Sequence, residues 1–216
     1  MFDRSTLRSI FTLGALAALA VFTAACDETA SDGVTGVGET GTNDQARRGG
    51  PPAAGPTTGP APSAARIFVA SLAPLNAEES FRPVRGHVQV RVRSGQMTVS
   101  VRAEGLEPGI PHPQHIHGKL GVGSCPDAGD DTNGDGVVDV VEGLPDYGGI
   151  LVTLDSDLTD GAGTQVDGLP VANEGGTLRY RQSAPLSAVR AGAERELDLG
   201  RRHVVLHGVD PETALP

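Results

Sequence analysis

Residues 87–93 alternate strictly between apolar and polar side chains: Val88, Val90 and Val92 fall on one side, Gln89, Arg91 and Arg93 on the other. Ser94-Gly95 then signals a turn, after which Met97, Val99 and Val101 alternate with Thr98, Ser100 and Arg102. Successive strand side chains point to opposite faces, so two such runs around a two-residue turn predict a hairpin with one dry side. Residues 67–72, 150–154, 178–182 and 203–207 are shorter runs that also predict strands, and glycine and proline punctuate the chain between them. Only 188–196 carries a helical pattern. Short strands joined by long loops predict an all-β domain, an antiparallel sandwich or flattened barrel. With aromatics at 3% and no tryptophan, its core must be built from Val, Leu, Ile and Ala.

The amino-terminal third reads differently. Arg4 and Arg8 precede an apolar run over 10–22, which is short for a bilayer span and suits the core of an export signal. The run ends in Thr23-Ala24-Ala25-Cys26, which looks like a bacterial lipobox. The expectation is a signal peptide over 1–25, removed as Cys26 receives lipid; cleavage without lipid and an uncleaved anchor are the alternatives. Residues 26–65 are rich in Gly, Pro, Ala and Thr and have too few large apolar side chains to offset the entropy of ordering, so they read as a tether. Residues 66–216 are then one domain of ordinary size. This places the chain in the bacterial cell envelope, lipid-anchored and extracytoplasmic, touching the membrane only through its lipid. The net charge of −10 argues against nucleic acid as a partner and suits divalent cations; no protein partner is indicated. With Cys26 given to lipid, Cys125 is expected as a lone, partly buried thiol, with a soft metal ligand or an intermolecular bridge as alternatives.

Two metal signatures lie in this domain. In His112-Pro113-Gln114-His115-Ile116-His117, a strand conformation puts His115 and His117 on one face and Ile116 on the other. In 203–207, Val204 and Leu206 suit the core, leaving His203, Val205 and His207 on the outer face. His203 and His207 are about 13 Å apart along a strand, so at most one of them joins His115 and His117. Three imidazoles suit copper, and zinc less selectively. The bland alternative is that His115 and His117 hydrogen-bond the acidic loop and hold nothing. His87 reads as an exposed strand residue.

The second signature runs from Asp131 to Glu142. Hard cations take oxygen ligands, which an EF-hand-type loop supplies at positions 1, 3, 5, 7, 9 and 12 with glycine at 6. Asp131, Asn133 and Asp135 fill the first three, Gly136 the turn, Val137 offers its carbonyl, and Asp139 and Glu142 complete the set. Pro126 and Gly129 before it, and Gly143 and Pro145 after it, predict a calcium loop without flanking helices, binding on the order of 10⁻⁴ to 10⁻³ M.

The histidine segments resemble a known family. Gly105-Leu106-Glu107-Pro108-Gly109 followed by His112 and His115-Ile116-His117 is similar to the copper-site strand of copper/zinc superoxide dismutases. Arg201-Arg202-His203-Val204-Val205-Leu206-His207 is similar to the later segment whose last histidine is a copper ligand. The resemblance implies a Greek-key sandwich, copper ligation by His115, His117 and His207, and a bracing role for His112. Cys125-Pro126-Asp127-Ala128-Gly129 resembles the start of that family's zinc subloop. The family's metal-bridging histidine should fall near Asp131 and is absent, as are its other zinc histidines, since none occurs between His117 and His203. Nothing after His207 matches the family's last strand, its disulfide cysteine or the arginine that guides superoxide. Bacterial chordin-type (CHRD) domains carry a similar Gln-His-Ile-His-Gly segment, and this likeness is the closer one. The expectation is therefore a calcium-stabilised CHRD or superoxide dismutase-like module holding copper, with a copper-only superoxide dismutase as the alternative. Copper delivery fits less well, because neither of the two methionines is near the histidines.

Overall fold

The computed structural model describes residues 23–25, 64–76, 84–163, 167–193 and 196–208. The signal and tether readings, and Cys26 itself, fall outside them, except that Thr23–Ala25 forms a short strand, β1. The other strands are β2 (Arg66–Pro74), β3 (Arg85–Arg93), β4 (Gln96–Glu104), β5 (Gln114–Gly118), β6 (Gly149–Thr153), β7 (Thr177–Pro185) and β8 (His203–Leu206). Two helices, α1 (Val140–Tyr147) and α2 (Leu186–Gly192), complete the regular structure with two 3₁₀ turns.

All pairings are antiparallel, in the order β6-β5-β8-β1-β2-β3-β4-β7. The short β1 joins a three-stranded sheet, β6-β5-β8, to a four-stranded sheet, β2-β3-β4-β7. The outermost strands β6 and β7 do not pair, so the architecture is an open all-β sandwich and the flattened-barrel alternative falls away. The chain passes from the large sheet to the small one after β4, returns for β7, and crosses again for β8.

The hairpin forms where alternation predicts it. β3 and β4 pair from Arg85↔Glu104 to Arg93↔Gln96 around Ser94-Gly95, both at positive φ. Val88, Val90, Met97, Val99 and Val101 are buried, and the polar residues between them face outward. Leu178 of β7 and Ile116, Val152, Val204 and Leu206 of the small sheet belong to the same core.

Helix α1 departs from expectation. Gly143 and Pro145 read as breakers, yet Asp139 caps this helix, accepting from the backbone N–H groups of Val141 and Glu142. Glu142 answers from the third helical position by accepting from the Asp139 N–H, a reciprocal capping box. Gly143 is required there: a Cβ would come within 2.6 Å of the Tyr147 ring. The expected helix over 188–196 appears as the shorter α2, which starts at Leu186 and ends at Gly192.

Leu178→Ala should destabilise the protein by about 2–5 kcal/mol in urea denaturation, because it opens a cavity in this shared core. Ile67→Ala, at a side chain 53% exposed, should stay within about 0.5 kcal/mol of the parent.

Candidate metal centre

Strand β5 lies between β6 and β8, and all five of its residues are buried. Its register with β8 sets His115 opposite Val205 and His117 opposite His203. On the β6 side the register shifts between Ile116 and His117, a bulge of the kind that re-aims a side chain. His207 follows β8 directly, its N–H donating to the Pro113 carbonyl at 2.8 Å.

These elements bring His115, His117 and His207 together, each offering one ring nitrogen, all within 4.8 Å of one another. His115 Nδ1 and His207 Nε2 are 3.1 Å apart. Two nitrogens each about 2.0–2.1 Å from a common ion lie about 3.3 Å apart at a tetrahedral angle, so this pair already stands at ligand spacing. His117 donates from Nδ1 to the Gly148 carbonyl at 2.8 Å, leaving Nε2 with its lone pair; that atom is buried and has no protein partner. A buried acceptor without a hydrogen bond is unfavourable on its own, and a metal ion supplies what it lacks. Donation from the other ring nitrogen to a carbonyl is the usual way a ligating imidazole is oriented. Neither His115 nor His117 bonds an acidic side chain, contrary to the bland alternative.

The three rings are 6%, 1% and 3% exposed, so the face expected to lie outward is covered. The cover is the long excursion between β5 and β6. The Tyr147 ring packs edge-on against His117 with centroids 4.7 Å apart, and Gly148 presses onto β5 with φ +82° where a Cβ would sit 2.4 Å from the Gly118 backbone. Burial pushes His115 down to about 3 and His117 to about 4 from the ordinary 6.5, with the charge of His117 adding to the shift at His115. Burial likewise carries His207 well below its ordinary value. All three are neutral at pH 7, the form that binds metal.

The remaining histidines separate by role. His112 is 1% exposed, with Nε2 2.9 Å from the Glu107 carbonyl and Nδ1 3.4 Å from that of His207, so it braces the backbone that presents the His207 ring. His203 points to the Cys125 sulfur at 3.9 Å and stays out of the cluster. His87 is exposed on β3. Cys125 is not the lone thiol expected: it is disulfide-bonded, and among the described residues no cysteine is free. The lone-thiol reading came from reserving Cys26 for lipid.

The calcium-type loop is folded, but its side chains do not converge as a metal-ligand cluster among the described residues. Asp131 accepts from the Gly134 and Gly136 N–H groups, Asn133 from Asp135, and Asp135 from Val137. Asp139 is committed to the α1 cap. Glu142 reaches back to the N–H groups of Thr132 and Asn133, and the Asp139 N–H leads the set of contacts that holds its carboxyl below the ordinary carboxylate range. The Val137 side chain is buried. Sequence pattern alone does not single out Tyr147 and Gly148; their signal is the Asp139-x-x-Glu142 spacing, which marks a helix start as well as a calcium loop.

Comparison with family models, with curated proteins and with solved structures returned no match.

Depressed histidine pKa values make a signed prediction for the metal-free protein. The folded state favours neutral imidazole, so this contribution to stability is complete above pH 6.5 and is lost as pH falls from there towards the folded values near 4 and 3. Each imidazole should contribute up to about 1.4 kcal/mol per pH unit. Urea denaturation with chelator between pH 7 and pH 5, above most carboxylate titration, should show stability declining; a flat profile contradicts the buried, neutral cluster.

Proposed function

We propose that this chain is an exported metal-binding module of CHRD or superoxide dismutase-like type, in which His115, His117 and His207 hold a copper ion. The observation that carries the reading is the buried, unpartnered Nε2 of His117 beside the 3.1 Å nitrogen pair. An all-imidazole donor set favours copper, and zinc less selectively. Three ligands leave one position of a four-coordinate ion for water or a small substrate. His112, Gly148 and Tyr147 would set the ring orientations, the outer arrangement that tunes ligand basicity.

Calcium belongs to the same reading through the loop spacing, with Asp131, Asn133, Asp135, Val137, Asp139 and Glu142 as its ligands. For calcium to bind, the carboxylates that now accept from loop amides must turn at least one oxygen each towards the ion. Export rests on Arg4, Arg8 and the apolar run over 10–22. Attachment through a lipidated Cys26 is the part that Cys125 challenges. The chain has two cysteines, so a lipid thioether and a disulfide within one chain call on the same sulfur. Intact mass of the exported protein separates these outcomes.

The test is metal retention by the full chain after copper loading and desalting, read by elemental mass spectrometry. The expected result is about one copper per chain. His117→Ala and His207→Ala should weaken it by more than the 10–100-fold typical of an outer partner, and Gly148→Ala by an amount in that range. Retention unchanged by His117→Ala and His207→Ala sinks the site. Superoxide turnover above free-copper controls would move the reading to the copper-only dismutase. For calcium, saturation near 100 times Kd should add about 2.7 kcal/mol of stability, abolished by Asp135→Ala.

A further inference from the structure

The outer face of the four-stranded sheet carries charge that neither the core nor the metal centre uses. Arg85, Arg91 and Arg93 of β3, Arg102 of β4, and Arg179 and Arg181 of β7 all point outward and are exposed. Among the described residues of β2, β3, β4 and β7, Glu104 is the one carboxylate, and it is bridged to Arg85 at 2.9 Å. The register gathers the cations: Arg102 lies directly opposite Arg179, and Ser100 separates Gln89 from Arg181.

Like charges directly opposite one another weaken a sheet. The chain has 27 acidic residues against 17 basic ones, so interleaving carboxylates would be no compositional strain. This face instead carries six arginines against one carboxylate, and such a surface concentrates anions. The partner's shape follows from the layout. Neighbouring strands are about 4.8 Å apart and alternate residues about 6.7 Å apart, so the guanidinium groups spread over two dimensions instead of following a line. A linear polyanion engages a row of cations, whereas a plane of anionic groups engages all of them. Ile67 and Val69, 53% and 56% exposed, extend the face at β2 with aliphatic surface. A shallow depression of about 250 Å³, lined by Arg91, Arg93, Ser94, Gln96 and Thr98, has room for a phosphodiester group.

We propose that this face docks on an anionic phospholipid surface, with the arginines pairing headgroup phosphates in the bidentate geometry guanidinium favours. The proposal is independent of the metal reading, and either can fail alone.

The experiment is co-sedimentation of the full chain, its lipid-free state established by intact mass, with phosphatidylcholine vesicles with and without phosphatidylglycerol. The comparison is with the same chain carrying Arg91→Gln, Arg179→Gln and Arg181→Gln. Binding should require phosphatidylglycerol and weaken above physiological salt as screening shortens. Each arginine should contribute about five-fold, so the triple variant should lose about a hundred-fold. Its melting temperature should be unchanged or higher, since an opposed cation pair is relieved. Equal binding to both vesicle types, or no loss in a folded triple variant, overturns the proposal. Arginine-dependent binding to a soluble sulfated polysaccharide or duplex DNA without vesicle binding overturns it in favour of a linear polyanion.

Discussion

Three imidazoles buried side by side set the terms for the rest of the small sheet. Burial disfavours the charged form, so the rings are neutral, and His115 Nδ1 and His207 Nε2 share a hydrogen bond at 3.1 Å. Such a cluster persists in a folded protein only if the surroundings fix each ring. The β5 bulge aims His117 and the Gly148 carbonyl accepts from its Nδ1, the Pro113 and His112 contacts hold the backbone of His207, and His115 is held by its ring nitrogen 3.1 Å from that of His207. The energy that places polar rings in the interior comes from the shared aliphatic core on the other face of β5, where Ile116 meets the large sheet.

The cover of the centre is also the exit of the calcium-type loop. Asp139 and Glu142 cap the start of α1; Tyr147 near its end donates from its hydroxyl to the Val140 carbonyl and lays its ring against His117. Asn76 ties the same region to the domain, donating to the Val138 carbonyl and accepting from its N–H. The acidic loop and the histidine centre thus lie at the two ends of one short helix.

The hairpin, the sandwich class and the His115–His117 pair were legible because each depends on strict alternation within a strand; His207, which alternation leaves on the same face as His203, was singled out by the resemblance alone. Val88, Val90 and Val92 declare one dry side, and the same rule puts His115 and His117 on a shared face. Alternation says nothing about what lies over a face, which is why the side of β8 bearing His207 was expected to be outward and is buried. Helix α1 was obscured because Asp139 and Glu142 satisfy two patterns at once, and the calcium pattern was the longer. Gly143 misled for a related reason: read as a breaker, it is demanded by the Tyr147 ring, and Pro145 lies inside the same helix. The disulfide state of Cys125 is not something a local pattern encodes.

Net charge illustrates the same distinction between local and assembled information. A total of −10 describes a sum, and the sum hides a sheet face with six exposed arginines. Each arginine was visible as a polar position in an alternating strand. What could not be read was the register that sets Arg102 against Arg179, since it depends on β7 pairing with β4 across some 70 residues of intervening chain. The acidic residues of 127–142 belong to the excursion over the small sheet, while these arginines occupy the outer face of the large one. The fold therefore gathers these arginines on one face, and the electrostatic argument for a partner must be made face by face, with the total retained only for behaviour at distances beyond the Debye length.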